Sequence, residues 1–222
     1  MRYVLIFVLL LTGTAHAETL AALRYRTALR LGQDTSSTAK QWSDAEINTW
    51  VNDAIRYISH VSLCYVRETT FTMTIDSTDY TMSADYIRAA GVVIEGNPIG
   101  LKGTAAADLG KQAVKSNTPT QWEDLGEIVR KIRLSPKPKA PQEVSVSFYA
   151  YSRQLSGDTV NCLLPQAFQY CIPDYAASQC WGRTRLPDPY WGWFIDRLSV
   201  LVPAIQKGSD PEVPAASPGG QR

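Results

Sequence analysis

Two histidines, His16 and His60, are all that imidazole-based acid–base chemistry can draw on in this chain. His60 follows Ile58 in an apolar stripe of helical period and reads as a surface or satisfied helix histidine. The carboxylates offer little more. Asp44 and Glu46 are explained by a capping box at Ser43-Asp44-Ala45-Glu46, and Glu123, Asp124 and Glu127 bracket a glycine turn. A chance pair opposed across a cleft, as a glycosidase needs, stays open as an exported-hydrolase reading. The four cysteines, Cys64, Cys162, Cys171 and Cys180, contain no C-x-x-C spacing and fit neither a zinc nor a redox motif. They read as small buried apolar residues, with disulfides the alternative. No G-x-S-x-G elbow, phosphate-binding glycine loop, H-E-x-x-H helix or calcium loop occurs. The expectation is a non-enzyme without cofactor or metal.

The remaining chemistry is that of surfaces. Arg24, Arg26 and Arg30 could meet phosphates in a DNA channel, or lie solvated or ion-paired on a helix. Lys131, Arg133, Lys137 and Lys139 could form a partner surface or guard a sheet edge. Trp181, Tyr190, Trp191 and Trp193 could stack on a sugar, but such groups more often fill a helix corner or an interface. A net charge of +1 gives no global field for nucleic-acid binding.

These side chains need a scaffold, and 222 residues with 45% apolar content can bury a real core. Thr19 can cap a first helix to Leu31, stopped by Gly32, with Leu20, Leu23, Thr27 and Leu31 on one side. After a polar loop at Gln33–Gln41, the capping box opens a second helix. Its stripe is Ile47, Trp50, Val51, Ala54, Ile55, Ile58 and Val61, spaced by threes and fours. The period then changes to that of strands: Tyr65–Ile75, Tyr80–Met82, Ala90–Glu95, Gln121–Leu125, Ile128–Leu134 and Glu143–Tyr151. Gly96-Asn97-Pro98 predicts a tight turn and Thr104–Lys115 a short helix. Leu164-Pro165 opens a helical segment to Trp181 that Pro173 should kink or interrupt. Pro187-Asp188-Pro189 makes a corner before a last helix, which Pro203 should end or bend. The predicted class is α+β: a helical bundle of two N-terminal and two C-terminal helices with a small inserted β domain. Its segments are residues 18–64, 65–155 and 156–207, followed by a disordered tail at 208–222.

The first residues read as a secretory signal. Arg2 precedes the apolar run Tyr3–Leu11, Gly13 breaks it, and Ala15-His16-Ala17 is a cleavage site before Glu18. The run is too short to span a bilayer comfortably, so no stable membrane anchor is expected after cleavage between Ala17 and Glu18.

Several motifs resemble, in order, those of tailed-phage head-to-tail adaptor (connector) proteins. The opening match is Leu29-Arg30-Leu31-Gly32, a polar loop, then Trp42-Ser43-Asp44-Ala45-Glu46-Ile47 and Trp50-Val51-Asn52-Asp53-Ala54. Ser83-Ala84-Asp85-Tyr86-Ile87-Arg88 is similar to a second family motif, whose usual Leu-Pro is replaced here by Met82-Ser83. Pro119–Trp122, Ile132–Pro136, Leu164-Pro165-Gln166-Ala167-Phe168 and Tyr175-Ala176-Ala177 follow. The resemblance spans Leu20–Leu201. It implies a structural virion protein, assembled in the host cytoplasm as a homo-oligomeric ring, commonly dodecameric. Its partners would be the portal protein and tail or nozzle proteins, with at most non-specific contact with DNA in the channel. Arg24, Arg26, Arg30, Lys131, Arg133, Tyr190 and Trp191 are then the candidate channel or interface residues. The family usually begins near Thr19-Leu20, so Met1–Ala17 is an addition. It supports the alternative of an exported periplasmic or surface structural or binding protein.

Overall fold

The computed structural model describes residues 17–33, 40–101, 118–182 and 188–208. Helix α1, Leu20–Arg30, starts where the Thr19 hydroxyl accepts the Ala22 N–H at 3.3 Å. It stops at Gly32, whose φ of +64 suits a residue without Cβ. Helix α2, Asp44–Ser62, opens on the expected reciprocal cap. The Glu46 N–H donates to the Ser43 hydroxyl at 3.2 Å, and the Ser43 N–H to the Glu46 carboxylate at 3.0 Å. The Gln33 side chain ties the two helices by bonding both the N–H and the carbonyl of Trp42.

Seven strands follow: β1 Val66–Thr72, β2 Asp79–Thr81, β3 Tyr86–Ile94, β4 Asn97–Leu101, β5 Gln121–Asp124, β6 Lys131–Ser135 and β7 Glu143–Ala150. A one-turn helix, α3 Gly126–Val129, joins β5 to β6. The sheet order is β1-β7-β3-β4-β5-β6-β2, antiparallel except for the parallel pair β4–β5. The chain enters and leaves this sheet side by side, since the Ala150 N–H donates to the Tyr65 carbonyl at 2.9 Å. Residues beyond β7 then run along α2. Ser152 N–H bonds the Ser59 hydroxyl at 3.1 Å, and Leu155 N–H bonds the Asn52 side chain at 2.8 Å. Helices α4 Gln166–Gln169, α5 Ile172–Trp181 and α6 Pro189–Gly208 complete the described residues.

Two sets of buried apolar residues follow from this α+β pattern. Leu23, Ile47, Ile55, Phe168, Ile172 and Phe194 pack between helices. Tyr86, Trp122, Ile132, Leu134, Val146 and Phe148 pack on the sheet. Strict alternation along β7, with Val144, Val146, Phe148 and Ala150 all inward, puts one face of that strand in the core.

Several local expectations are corrected. Strand β3 begins at Tyr86 rather than Ala90, because Tyr86 already pairs with Ala150 of β7. Asn97 and Pro98 belong to β4. The turn is made by Glu95 and Gly96, both at positive φ, as a two-residue hairpin of primed type requires. Ile128 and Val129 lie in α3 rather than in a strand. Gly126 at φ +85 and Arg130 at φ +52 bound that single turn. Pro173 interrupts the Leu164–Trp181 segment by standing in the first turn of α5, where its missing N–H leaves no helical bond unmade. Pro203 does not end α6, which continues to Gly208; half-buried Leu201 and Val202 hold that turn on the helical core. Most of the signal-like segment, the Thr104–Lys115 helix, Pro187 and the tail beyond Gly208 lie outside the described residues.

Candidate assembly surface

The three arginines of α1 are each engaged within the chain. Arg24 donates two bonds to Asp158, at 2.9 and 3.0 Å, and lies 3.9 Å from Asp44. The Arg24 bond lowers the pKa of Asp158, and the Asp158 bond raises that of Arg24. Arg26 pairs with Glu18 at 2.7 Å and lies over the Tyr170 ring, 5.5 Å from its centroid. Burial nonetheless raises the Glu18 pKa against the pull of Arg26 and Arg30. Arg30 pairs with Asp174, whose side chain is fully buried in the first turn of α5. Arg197 of α6 reaches the other carboxylate oxygen at 2.9 Å. One buried carboxylate thus joins α1, α5 and α6, where an unpaired charge would not be tolerated.

The second basic group is apart from the first, on the sheet. Arg133 of β6 grips Asp79 of β2 with bonds of 2.8 and 3.0 Å, holding the Asp79 carboxyl down to about 2. Lys131 stands opposite Thr81 at the other end of that pairing. The structure therefore joins Arg30 to the aromatic group but does not bring either to Lys131 and Arg133.

Helix α6 carries the aromatics. Asp188 caps it by accepting the N–H groups of Tyr190 at 2.9 Å and Trp191 at 3.4 Å. The Tyr190 hydroxyl donates to the Arg30 carbonyl, and its ring meets Trp181 and Trp193 edge-on, centroids 6.1 and 5.4 Å away. Trp191 packs near Tyr57, Tyr175 and Phe194 while keeping an exposed edge. Of the helix residues with described side chains, only Phe194 and Leu198 are fully inside. Trp193 is 53% exposed and Val200 70%, seven residues apart and so on nearly the same side. Helix α6 thus has an inner apolar stripe against the helices and an outer one facing solvent. Beside the outer stripe lies a groove of ≈ 880 Å³ between α4 and α6, lined by Ala167, Tyr170, Cys171, Val200 and Leu201 with Arg30, Asp196 and Arg197 among the charged lining.

Sequence reasoning did not single out Asp174 or Ile128, and it read Asp124 only as part of a solvated turn. Asp174 was visible as a lone acid inside the apolar run Cys171-Ile172-Pro173-Asp174-Tyr175-Ala176-Ala177. Ile128, 98% exposed at the tip of α3, was hidden by its reading as strand. Asp124 accepts the Tyr86 hydroxyl at 2.7 Å and the N–H groups of Ala89 at 3.0 Å and Gly126 at 2.8 Å. It locks the start of β3 to the turn that launches α3. Burial raises the Tyr86 pKa, reinforced by this bond. His60 sits beside Tyr151, whose hydroxyl donates to Glu127 at 2.5 Å, while Arg56 covers the Tyr151 ring at 4.4 Å. That cluster links α2 to α3. The four cysteines are free thiols, and burial pushes those of Cys162 and Cys171 up to about 11. Among the described residues no cluster of His, Cys, Asp and Glu could hold a metal, and no helix is long and apolar enough to cross a membrane.

Residues 18–192 match the family model described as SU10 adaptor protein. No curated protein matches the chain.

Proposed function

The chain belongs to the SU10 adaptor protein family, a phage head-to-tail adaptor family, and we propose that its copies form a ring between portal and tail. Membership makes the protein a structural component of the phage virion rather than one of an enzyme family. In our reading the helices form one bundle, with the sheet inserted between α2 and α4, and DNA passes through the ring by contacts that carry no sequence information. The outer stripe of α6 is the observation that supports assembly. Val200 lines an apolar groove and Trp193, seven residues earlier on nearly the same side, is exposed as well, as expected of a subunit surface that neighbours cover. Tyr190 packs on Trp193 of that surface and Trp191 on the inner rings of Tyr175 and Phe194, so packing and interface are better roles for them than a sugar platform. Arg24, Arg26 and Arg30, already paired within the chain, serve the subunit's own fold before any channel.

Mass per particle, by native mass spectrometry and electron microscopy with and without portal protein, tests the proposal. A ring alone or on the portal is expected. A monomer indifferent to portal overturns it. That second outcome would favour an exported structural or binding protein, the reading that rests on Met1–Ala17.

A further inference from the structure

The surface of one chain carries an apolar peg and an apolar groove, and no described residue of the chain fills that groove. The peg is Ile128 and Val129, 98% and 51% exposed at the tip of α3. It is rigidly held. Arg130 N–H closes the turn on the Gly126 carbonyl at 2.8 Å, and Leu125 N–H bonds the Lys131 carbonyl at 3.0 Å. Asp124 and Tyr151 fix its base through Gly126 and Glu127. β-Branched side chains on a fixed turn lose little conformational freedom when covered, which suits them to docking. The groove is the α4–α6 cleft, with Tyr170 and Val200 on its walls.

We propose that the peg of one copy seats in the α4–α6 groove of the next, an inference that rests on the ring reading above. Charge points to the same occupant. Exposed Arg130 flanks the peg, Glu127 beside it is held by Tyr151, and exposed Asp196 lines the groove. Docking brings Arg130 of one copy, which has no ion pair among the described residues, to Asp196 of the other, whose groove neighbours Arg30 and Arg197 already share Asp174. Because peg and groove are different patches, the contact is head-to-tail, the type that closes into a ring when the rotation permits. Two side chains are too small for a stable interface alone. The stripe at Trp193, seven residues before Val200, continues the apolar surface along α6. The peg sets register.

Particle mass of the full-length chain, measured with and without portal protein, decides the matter for wild type, Ile128→Asp, Val200→Asp, Arg130→Glu and Arg130→Glu/Asp196→Arg. The substituted positions are exposed, so each variant should keep the wild-type circular dichroism and melting temperature. Loss of the ring is expected in Ile128→Asp and Val200→Asp. Assembly should weaken about tenfold in Arg130→Glu and recover in the double charge reversal. A mixture of Ile128→Cys and Val200→Cys chains should form on oxidation an interchain disulfide between positions 128 and 200, located by peptide mapping to separate it from one to groove-lining Cys171. A wild-type ring with unchanged rings in Ile128→Asp, or no such disulfide in the mixture, overturns this contact alone. A wild type that stays monomeric in both conditions overturns the ring reading itself.

Discussion

Replacing Asp174 by Asn keeps the shape of a buried side chain and removes the charge that two arginines share. The Asp174 side chain is 0% exposed, while those of Arg30 and Arg197 are 28% and 47% exposed. Breaking a fully buried pair costs ~3–5 kcal/mol, and an exposed one contributes only ~0–1 kcal/mol. Here the stranded guanidinium groups can turn toward water, whereas the amide stays inside with fewer and weaker bonds. The loss should therefore fall between the limits, at ~2–3 kcal/mol. A domain of this size loses ~2–4 °C in melting temperature per kcal/mol, so the variant should melt ~5–10 °C lower. Urea unfolding followed by tryptophan fluorescence, with calorimetry alongside, measures both quantities. Arg30→Gln should cost more than Arg197→Gln, because Arg30 is the less exposed partner. The Arg30→Gln/Asp174→Asn double variant should show coupling of ~1 kcal/mol or more. If Asp174→Asn unfolds within ~0.5 kcal/mol of wild type, the carboxylate does not hold α1, α5 and α6 together and the reasoning fails.

Other outcomes follow from single contacts. Trp193→Ser should lower the melting temperature of isolated subunits only slightly, through the lost Tyr190 contact, and reduce ring formation, read by analytical ultracentrifugation; an unchanged ring would remove α6's outer stripe from the interface. Arg24→Gln should lower stability by ~1 kcal/mol or less, since the pair with Asp158 is exposed, and leave the affinity for duplex DNA in a salt titration unmoved. The Asp79 carboxyl is held at about 2 by Arg133, below its unfolded value. Its contribution is therefore present above pH ~4 and lost as pH falls toward ~2. Asp79→Asn should flatten that part of the acid limb in a pH series of melts, and an unaltered limb would contradict the assignment. Native protein should react slowly with a thiol reagent, and all four cysteines should react once unfolded in guanidinium without reductant. Fewer than four would reveal a disulfide.

The legible parts of the fold were those written in short-range chemistry. Ser43 and Glu46 satisfy backbone donors within one turn, and β7 buries alternate residues, so both could be read from neighbouring letters. What was illegible depends on partners distant in sequence. The start of β3 is set by β7 and by Asp124, and the turn at Glu95-Gly96 by the pairing of Ile94 with Asn97. The Gly126 signal correctly marked a turn, but the apolar Ile128-Val129 pair imitates a strand when its exposure is unknown. Of the candidate site, the arginines were found and their partners were not. Asp158 and Asp174 face them only after the chain has crossed the sheet and returned, and Glu18, just before α1, reaches Arg26 from outside the helix.

Because the chain leaves α2 and returns beside it through backbone groups bonded to one another, at Tyr65 and Ala150, the two ends of the strand-forming segment are held together as by a clip. Lengthening or trimming a hairpin far from that clip leaves the separation of its two ends unchanged. Closing a longer loop costs little extra entropy, ~0.6 kcal/mol per doubling of length. The sheet is thus the part that can diverge in size, or be exchanged for another with paired ends, while the helices keep their packing. Grafting a foreign hairpin-ended domain between Tyr65 and Ala150 is the engineering use of the same adjacency.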